Sequence, residues 1–314
     1  MKHLLLLVIP LALLSCKKTN GQVEKPFISN AELKNMVSYL SSDEIKGRNT
    51  GTEGIDKAAT FIARKFKEFN VKPYYKTYRD SFMVKGKQAF NVIGFIEGTD
   101  KKLKDEIIIL GAHYDHIGFG KKVGNDSIAN GANDNATGTS AVIAMAKYFS
   151  KVKNNKRSIM FALFSAEEMG LRGSIHLAER LKEGHAKIYT VVNFEMIGVP
   201  LINVKHQAFL TGYELSNMGE KINGYANTNL VGKSDVSKKY NLFKRSDNYA
   251  FYNAFKVPSH TLSSCDLTNF DYYHQVGDEV ELLDFTFMTD LINNTIPAIE
   301  KMSNTPVQEI KMHK

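Results

Sequence analysis

LGAHYDHIGFGKKVGNDSIANGANDNATG, residues 110–138, decides the reading of this chain. It is entered from an apolar run, Ile107-Ile108-Ile109-Leu110, and ends in a dense patch of metal-binding side chains. The run predicts a strand that carries His113 and Asp115 to a site at its carboxyl end. Alternation along a strand puts both on one face. A Gly- and Asn-rich loop follows and carries Asp134, and residues 139–146 read as a helix packed on the sheet.

The segments around this stretch repeat the pattern. Ser158-Ile159-Met160-Phe161-Ala162-Leu163-Phe164 is continuously apolar, as in a strand buried on both faces of a parallel sheet. It runs into Ser165-Ala166-Glu167-Glu168. Residues 190–194 form another apolar strand, ending at Glu195. Upstream, Asn30 is expected to cap a helix over 32–40, a second helix runs from about Glu53 to Phe69, and 82–98 holds two strands. Downstream come a helix near 215–225, a short strand within 256–262, a polar and aromatic loop over 270–278 with Tyr273 and His274, and a closing helix over 285–302.

Strands alternating with helices predict an α/β fold: a mostly parallel, mixed central sheet flanked by helices on both faces. In such sheets ligands bind at the carboxyl ends of the strands. His113, the Glu167-Glu168 pair and Glu195 each follow a predicted strand, and that shared placement argues for one site. No internal repeat and no second domain are evident.

Composition narrows the class. The chain has 314 residues, with 43% hydrophobic and 24% charged, in the range of an ordinary folded domain. The net charge of +8 comes from lysines in ones and twos, not from a basic stripe interleaved with aromatics, which argues against a nucleic-acid partner. The N-terminus reads as an address. Lys2 precedes an apolar stretch over 4–14, which stops at Leu13-Leu14-Ser15-Cys16 and two lysines. This resembles a bacterial lipoprotein signal, in which the Cys is lipidated. The expected plan is a signal peptide over 1–15, a lipidated tether over 16–29, a single folded domain carrying the site over 30–305 and a tail over 306–314. The domain would sit on the periplasmic or cell-surface side of a bacterial membrane, anchored through Cys16. Cys265, then alone, reads as a small buried residue.

Peptide hydrolysis needs an activated water and a sink for the charge of the tetrahedral oxyanion. Two divalent metals about 3.5–4 Å apart supply both, and mixed His and carboxylate donors suit zinc. A symmetrical assignment gives each metal one His and one carboxylate, plus one shared carboxylate. His113 and Glu195 take one metal, Glu168 and His274 the other, and Asp134 bridges. Glu167 must point away from its neighbour on an extended chain, which frees it to act as general base. Asp115 is placed to accept a hydrogen bond from the outer nitrogen of His113. His116, His176, His185, His206 and His260 have no such partners and read as structural or exposed.

The motifs resemble, as a set, the double-zinc aminopeptidase family of metallopeptidase clan MH. That family shares its fold with glutamate carboxypeptidase, the transferrin receptor ectodomain and glutaminyl cyclase. The matching segments are 111–118 (GAHYDHIG), 131–138 (GANDNATG), 164–174 (FSAEEMGLRGS), 193–198 (NFEMIG), 245–247 (RSD), 272–278 (YYHQVGD) and 40–48 (LSSDEIKGR). The resemblance implies two Zn2+ on His113, Asp134, Glu168, Glu195 and His274, with Glu167 as base. It implies Tyr273 as a hydrogen-bond donor to the oxyanion, and Asp247 and Asp278, within matching motifs, as supports behind the ligands. A cis peptide between Asp134 and Asn135 is also implied. Glu195 stands where many members have Asp; the longer side chain keeps the charge and is expected to remain a ligand. The implied activity is an aminopeptidase, a monomer acting on peptides with a free N-terminus. Glutaminyl cyclase is the alternative, weakened by the absence of any Trp. A carboxypeptidase would use Arg245 for the terminal carboxylate, and a non-catalytic binding lipoprotein would have lost ligands.

Overall fold

The computed structural model describes residues 28–314; the expected signal peptide, most of the expected tether and Cys16 lie outside the described residues. In chain order the elements are α1 (Asn30–Leu40), α2 (Glu53–Glu68), β1 (Lys72–Pro73), β2 (Arg79–Val84), β3 (Lys87–Ile96), β4 (Glu106–His113), β5 (Gly118–Val123), β6 (Asp126–Ala129), α3 (Thr137–Val152) and β7 (Ser158–Phe164). These are followed by α4 (Arg172–Glu183), β8 (Lys187–Phe194), β9 (Ala208–Leu210), α5 (Met218–Ala226), β10 (Val231–Gly232), α6 (Asp235–Lys239), α7 (Asn248–Phe255), β11 (Ser259–Ser263) and α8 (Phe285–Asn304).

One mixed sheet of nine strands runs in the order β1-β3-β7-β4-β8-β11-β9-β10, with β2 paired to β3. Its middle, β7-β4-β8-β11, is parallel, while β3 and β9 join antiparallel. The apolar runs explain the centre. Every residue of β7 and all of β4 after Glu106 are buried, so these strands are covered on both sides. Alternate side chains divide between two layers. Ile108, Leu110, Phe161 and Val192 face a core closed by α1, α2, α3, α5 and α8; Ile107, Ile109, Met160 and Val191 face one closed by α4 and α7. Each fully buried side chain of this kind contributes roughly 1.5–3 kcal/mol.

The structure redraws some edges. Ser29, not Asn30, caps α1, its Oγ accepting the Glu32 N–H at 3.3 Å. Asn30 is already helical and donates to Thr286 instead. The Gly- and Asn-rich loop holds a hairpin of β5 and β6. Helices α4 and α7 went unread in the sequence. Residues 306–314 lie along the domain: the Ile310 N–H donates to the Tyr189 hydroxyl, and Met312 bridges Ser216. No helix among the described residues is long and apolar enough to cross a membrane.

A candidate metal centre

Strands β4, β7 and β8 are parallel neighbours, so the residues that follow them emerge on one edge of the sheet. His113 ends β4, Glu167 and Glu168 lie in the turn after β7, and Glu195 comes directly after β8. Asp134 arrives from the loop before α3, and His274 from the loop before α8. Asp134 lies at the centre of the group. Its Oδ1 is 3.3 Å from His113 Nε2 and its Oδ2 is 3.3 Å from His274 Nε2. Glu168 Oε2 is 3.0 Å from the same His274 nitrogen. Donor atoms of His113, Asp134 and Glu168 all fall within 4.8 Å of one another. The Asp134–Asn135 peptide is cis.

Two buried carboxylates shape the backbone that presents these side chains. Asp278 accepts the N–H groups of Asn133 (2.7 Å) and Asp134 (2.9 Å). Asp115 accepts those of Glu167 (3.1 Å) and Glu168 (3.3 Å). This corrects the role expected for Asp115. His113 Nδ1 bonds the Asp115 backbone oxygen at 3.1 Å, while the nearest Asp115 carboxylate oxygen is 3.8 Å away. The carboxylate is committed to the other turn. The reason given for Glu167 is corrected too. Glu167 and Glu168 are not on extended chain: Ala166 has φ 57°, and the Gly170 and Leu171 N–H groups close on the Glu167 carbonyl. The turn separates the two side chains. That of Glu168 bonds His116 and His274, while that of Glu167 makes no hydrogen bond to a described residue.

The remaining expected residues surround this group. Glu195 accepts a hydrogen bond from the Ser246 hydroxyl, which in turn accepts from Asn193 at 2.8 Å. Asp247 is fully buried beside it in sequence. Tyr273 stacks on the His274 ring, with centroids 3.9 Å apart. Glu195, Tyr273 and Arg245 also line a cleft of about 430 Å³ whose walls include Met196, Phe209, Leu242 and Leu267. Cys265 lines it as well, as a buried thiol pushed up to about 12 by burial.

Three residues were missed. His116, read as having no partner, is buried with Nδ1 3.1 Å from Glu168 Oε1. Its signal was its place in the same motif as His113. Arg48 is buried and grips the loop that carries Asp134, donating to the carbonyls of Asn130, Gly131 and Asp134, and to those of Leu40 and Tyr114. Ser246, quoted only as part of a motif, holds Glu195.

The electrostatics favour bound cations. Burial pushes Glu167 well above the usual carboxylate range, with Glu195, Asp247 and Glu168 adding repulsion. Burial likewise lifts Glu195, Asp247 and Asp278 to about 7 each, and Asp115 to about 6. Asp134 is driven the other way: burial would raise it, but hydrogen bonds with His113 and His274 hold it well below its ordinary value. Burial would lower His274, yet Asp134 and Glu168 raise it to about 10. Arg48 is lowered to about 10 by burial, against the pull of Asp134, Asp278, Asp115 and Glu168. A buried cluster this rich in carboxylates keeps its charges only beside positive ions. Asp134 Oδ2 is buried without a hydrogen-bond partner of good geometry. Imidazole nitrogens and carboxylate oxygens are the donor set that suits zinc. The residues present therefore fit the metal.

Comparison with known proteins decides the family, since residues 91–298 match peptidase family M28. The chain belongs to that family. M28 is thus the metallopeptidase family in which the motif set finds its place. An aminopeptidase of Bacillus subtilis (strain 168), YwaD, is 38% identical over 109 residues, covering 34% of this chain and 22% of that protein. The chain spans about a fifth of the length of the first curated relatives it matches. Among solved structures, a zinc aminopeptidase from Bacillus subtilis superposes with TM-score 0.71 at 16% identity, over 90% of this chain and 97% of that one. A glutaminyl cyclase from Fimbriiglobus ruber gives 0.68 at 18% identity, over 88% and 96%. At these identities the likeness is one of fold, the zinc-exopeptidase architecture.

Proposed function

We propose that this M28 member is a zinc-dependent aminopeptidase that removes N-terminal residues from peptides, with Glu167 as general base. The observation that carries the reading is the gathering of His113, Asp134, Glu168, Glu195 and His274 at one sheet edge, beside a Glu167 side chain committed to nothing else. In the proposed arrangement His113 and Glu195 would hold one zinc, Glu168 and His274 a second, with Asp134 shared. Zinc in such a site acidifies water and polarises the scissile carbonyl.

The chain's own groups do the rest. Glu167 takes a proton from the attacking water and returns it to the departing amine; burial raises its proton affinity, which favours holding that proton between the two steps. Burial and the surrounding carboxylates hold the Tyr273 phenol well above its ordinary value, so it stays a donor for the oxyanion. The ammonium of a free N-terminus finds a carboxylate-rich wall. The adjoining cleft, with Met196, Phe209, Leu242 and Leu267, takes an uncharged side chain of the first residue.

Arg245, exposed and lining the same cleft, gives a carboxypeptidase its one specific observation. Leucine p-nitroanilide, its N-acetyl derivative, and one short peptide ending in carboxylate or amide separate the readings. The aminopeptidase releases nitroaniline only from the free amine and trims both peptides from the N-terminus. Release from the acetylated substrate, or trimming only from a free carboxylate, would sink it. Cyclisation of N-terminal Gln would move the protein to the cyclase reading, for which the absence of Trp remains the contrary observation. A non-catalytic role is opposed by a donor set and base that are all present.

The proposal includes an exported location with a lipid anchor on Cys16, resting on the 13–16 segment LLSC. Cys16→Ala should move the protein from the membrane to the soluble fraction; continued membrane retention would remove the anchor.

A further inference from the structure

The metal centre contains one group that the assignment above does not use, the imidazole of His116. Its ring is buried, with Nδ1 3.1 Å from Glu168 Oε1 and 3.8 Å from Asp134 Oδ2. Its Nε2 is buried and has no hydrogen-bond partner among the described residues. The ring is held in place. A Cβ at Gly131 would come 2.6 Å from Cγ and Cδ2 of His116, and the backbone N–H of His116 donates to the Arg48 carbonyl at 3.3 Å.

The hydrogen-bond network fixes the tautomer. An ionised carboxylate only accepts, so a bond to Glu168 requires the proton on Nδ1. The other tautomer would set a lone pair against two anionic oxygens and strand an N–H at Nε2. Buried donors without acceptors are the rarer and costlier defect. His116 therefore donates to Glu168 Oε1, while Oε2 of the same carboxylate faces His274 Nε2 at 3.0 Å.

We propose that His116 is a positioning residue of the metal centre: its Nδ1–H holds Oε1 of Glu168 and so presents Oε2 to the cation shared with His274. The inference rests on the metallopeptidase reading of Glu168. Groups that orient a ligand in this way are typically worth 10–100-fold in metal affinity.

Zinc binding to the metal-free protein, measured by competition with a chromophoric chelator, tests it without reference to turnover. His116→Ala should weaken one of two zinc equivalents about 10–100-fold and leave the other in place. His116→Asn carries an amide N–H near the position of Nδ1 and should recover most of that loss. Cobalt(II) spectra should change for the weakened equivalent alone. If His116→Ala fails to fold, His116→Asn and His116→Leu, which both fill the space, decide by the same ratio. Equal affinities in Asn and Leu variants, or unchanged binding in His116→Ala, would overturn the role. Wild-type protein that binds no zinc would instead overturn the metal reading itself.

Discussion

Glu167→Gln should lower kcat by about 10²–10⁴-fold, the usual contribution of a general base. Zinc content, fold and KM should remain close to wild type. The structure makes this a clean substitution. The Glu167 side chain makes no hydrogen bond to a described residue, so an amide of equal size disturbs no partner. The backbone of the turn is held independently, by Asp115 through the N–H groups of Glu167 and Glu168. The change also removes one member of a group of mutually repelling carboxylates, so thermal stability should not fall. What is lost is a site to hold the proton between attack and departure of the amine. Steady-state kinetics with metal analysis on the same preparation check this. A variant retaining more than about a tenth of wild-type kcat, far less than a base contributes, would remove Glu167 from the role.

Removal of metal should have the larger effect, abolishing turnover and lowering the melting temperature together. Zinc that binds only the folded chain stabilises it by about 4 kcal/mol when free metal is a thousandfold above Kd. For a domain of this size that corresponds to a fall of roughly 8–16 °C on chelation. The sign follows from the site. Without cations, burial and mutual repulsion lift Glu167, Glu195 and Asp247, so these groups must take up protons or repel one another. Calorimetry before and after chelation, with rates measured on the same samples, checks both effects. Chelated protein that melts and turns over like the starting material would refute the prediction.

The sheet and the gathering of the candidate site residues were legible because their signals are local. An apolar strand followed at once by His, Glu-Glu or Glu is visible in the sequence, and parallel pairing of β4, β7 and β8 brings those ends together. Asp115 and Asp278 were named as supports, but how they act was illegible: they grip N–H groups up to 145 positions distant, and nothing in the local pattern marks a carboxylate for that task. Arg48 was quoted only inside a motif, and the carbonyls it holds on the Asp134 loop lie 82 or more positions away. His116 was set aside because its partner, Glu168, lies 52 positions away. Helix α4 was missed because its core contribution is narrow: Leu177, Ala178 and Leu181 are buried, between charged residues at 179, 180, 182 and 183. Helix α7, NYAFYNAF, has no clear polar face to contrast with its apolar one. The N-cap of α1 slipped by one position because Ser29 and Asn30 are both good caps.

The decisive measurement removes all metal from the purified domain, returns zinc stepwise, and counts bound zinc per chain against the rate of cleavage at a free N-terminus. The expected result is no cleavage without zinc and a rate that rises to a plateau as the bound zinc reaches two per chain. Full activity in the metal-free protein, or a plateau reached at one zinc with no second site, would contradict it.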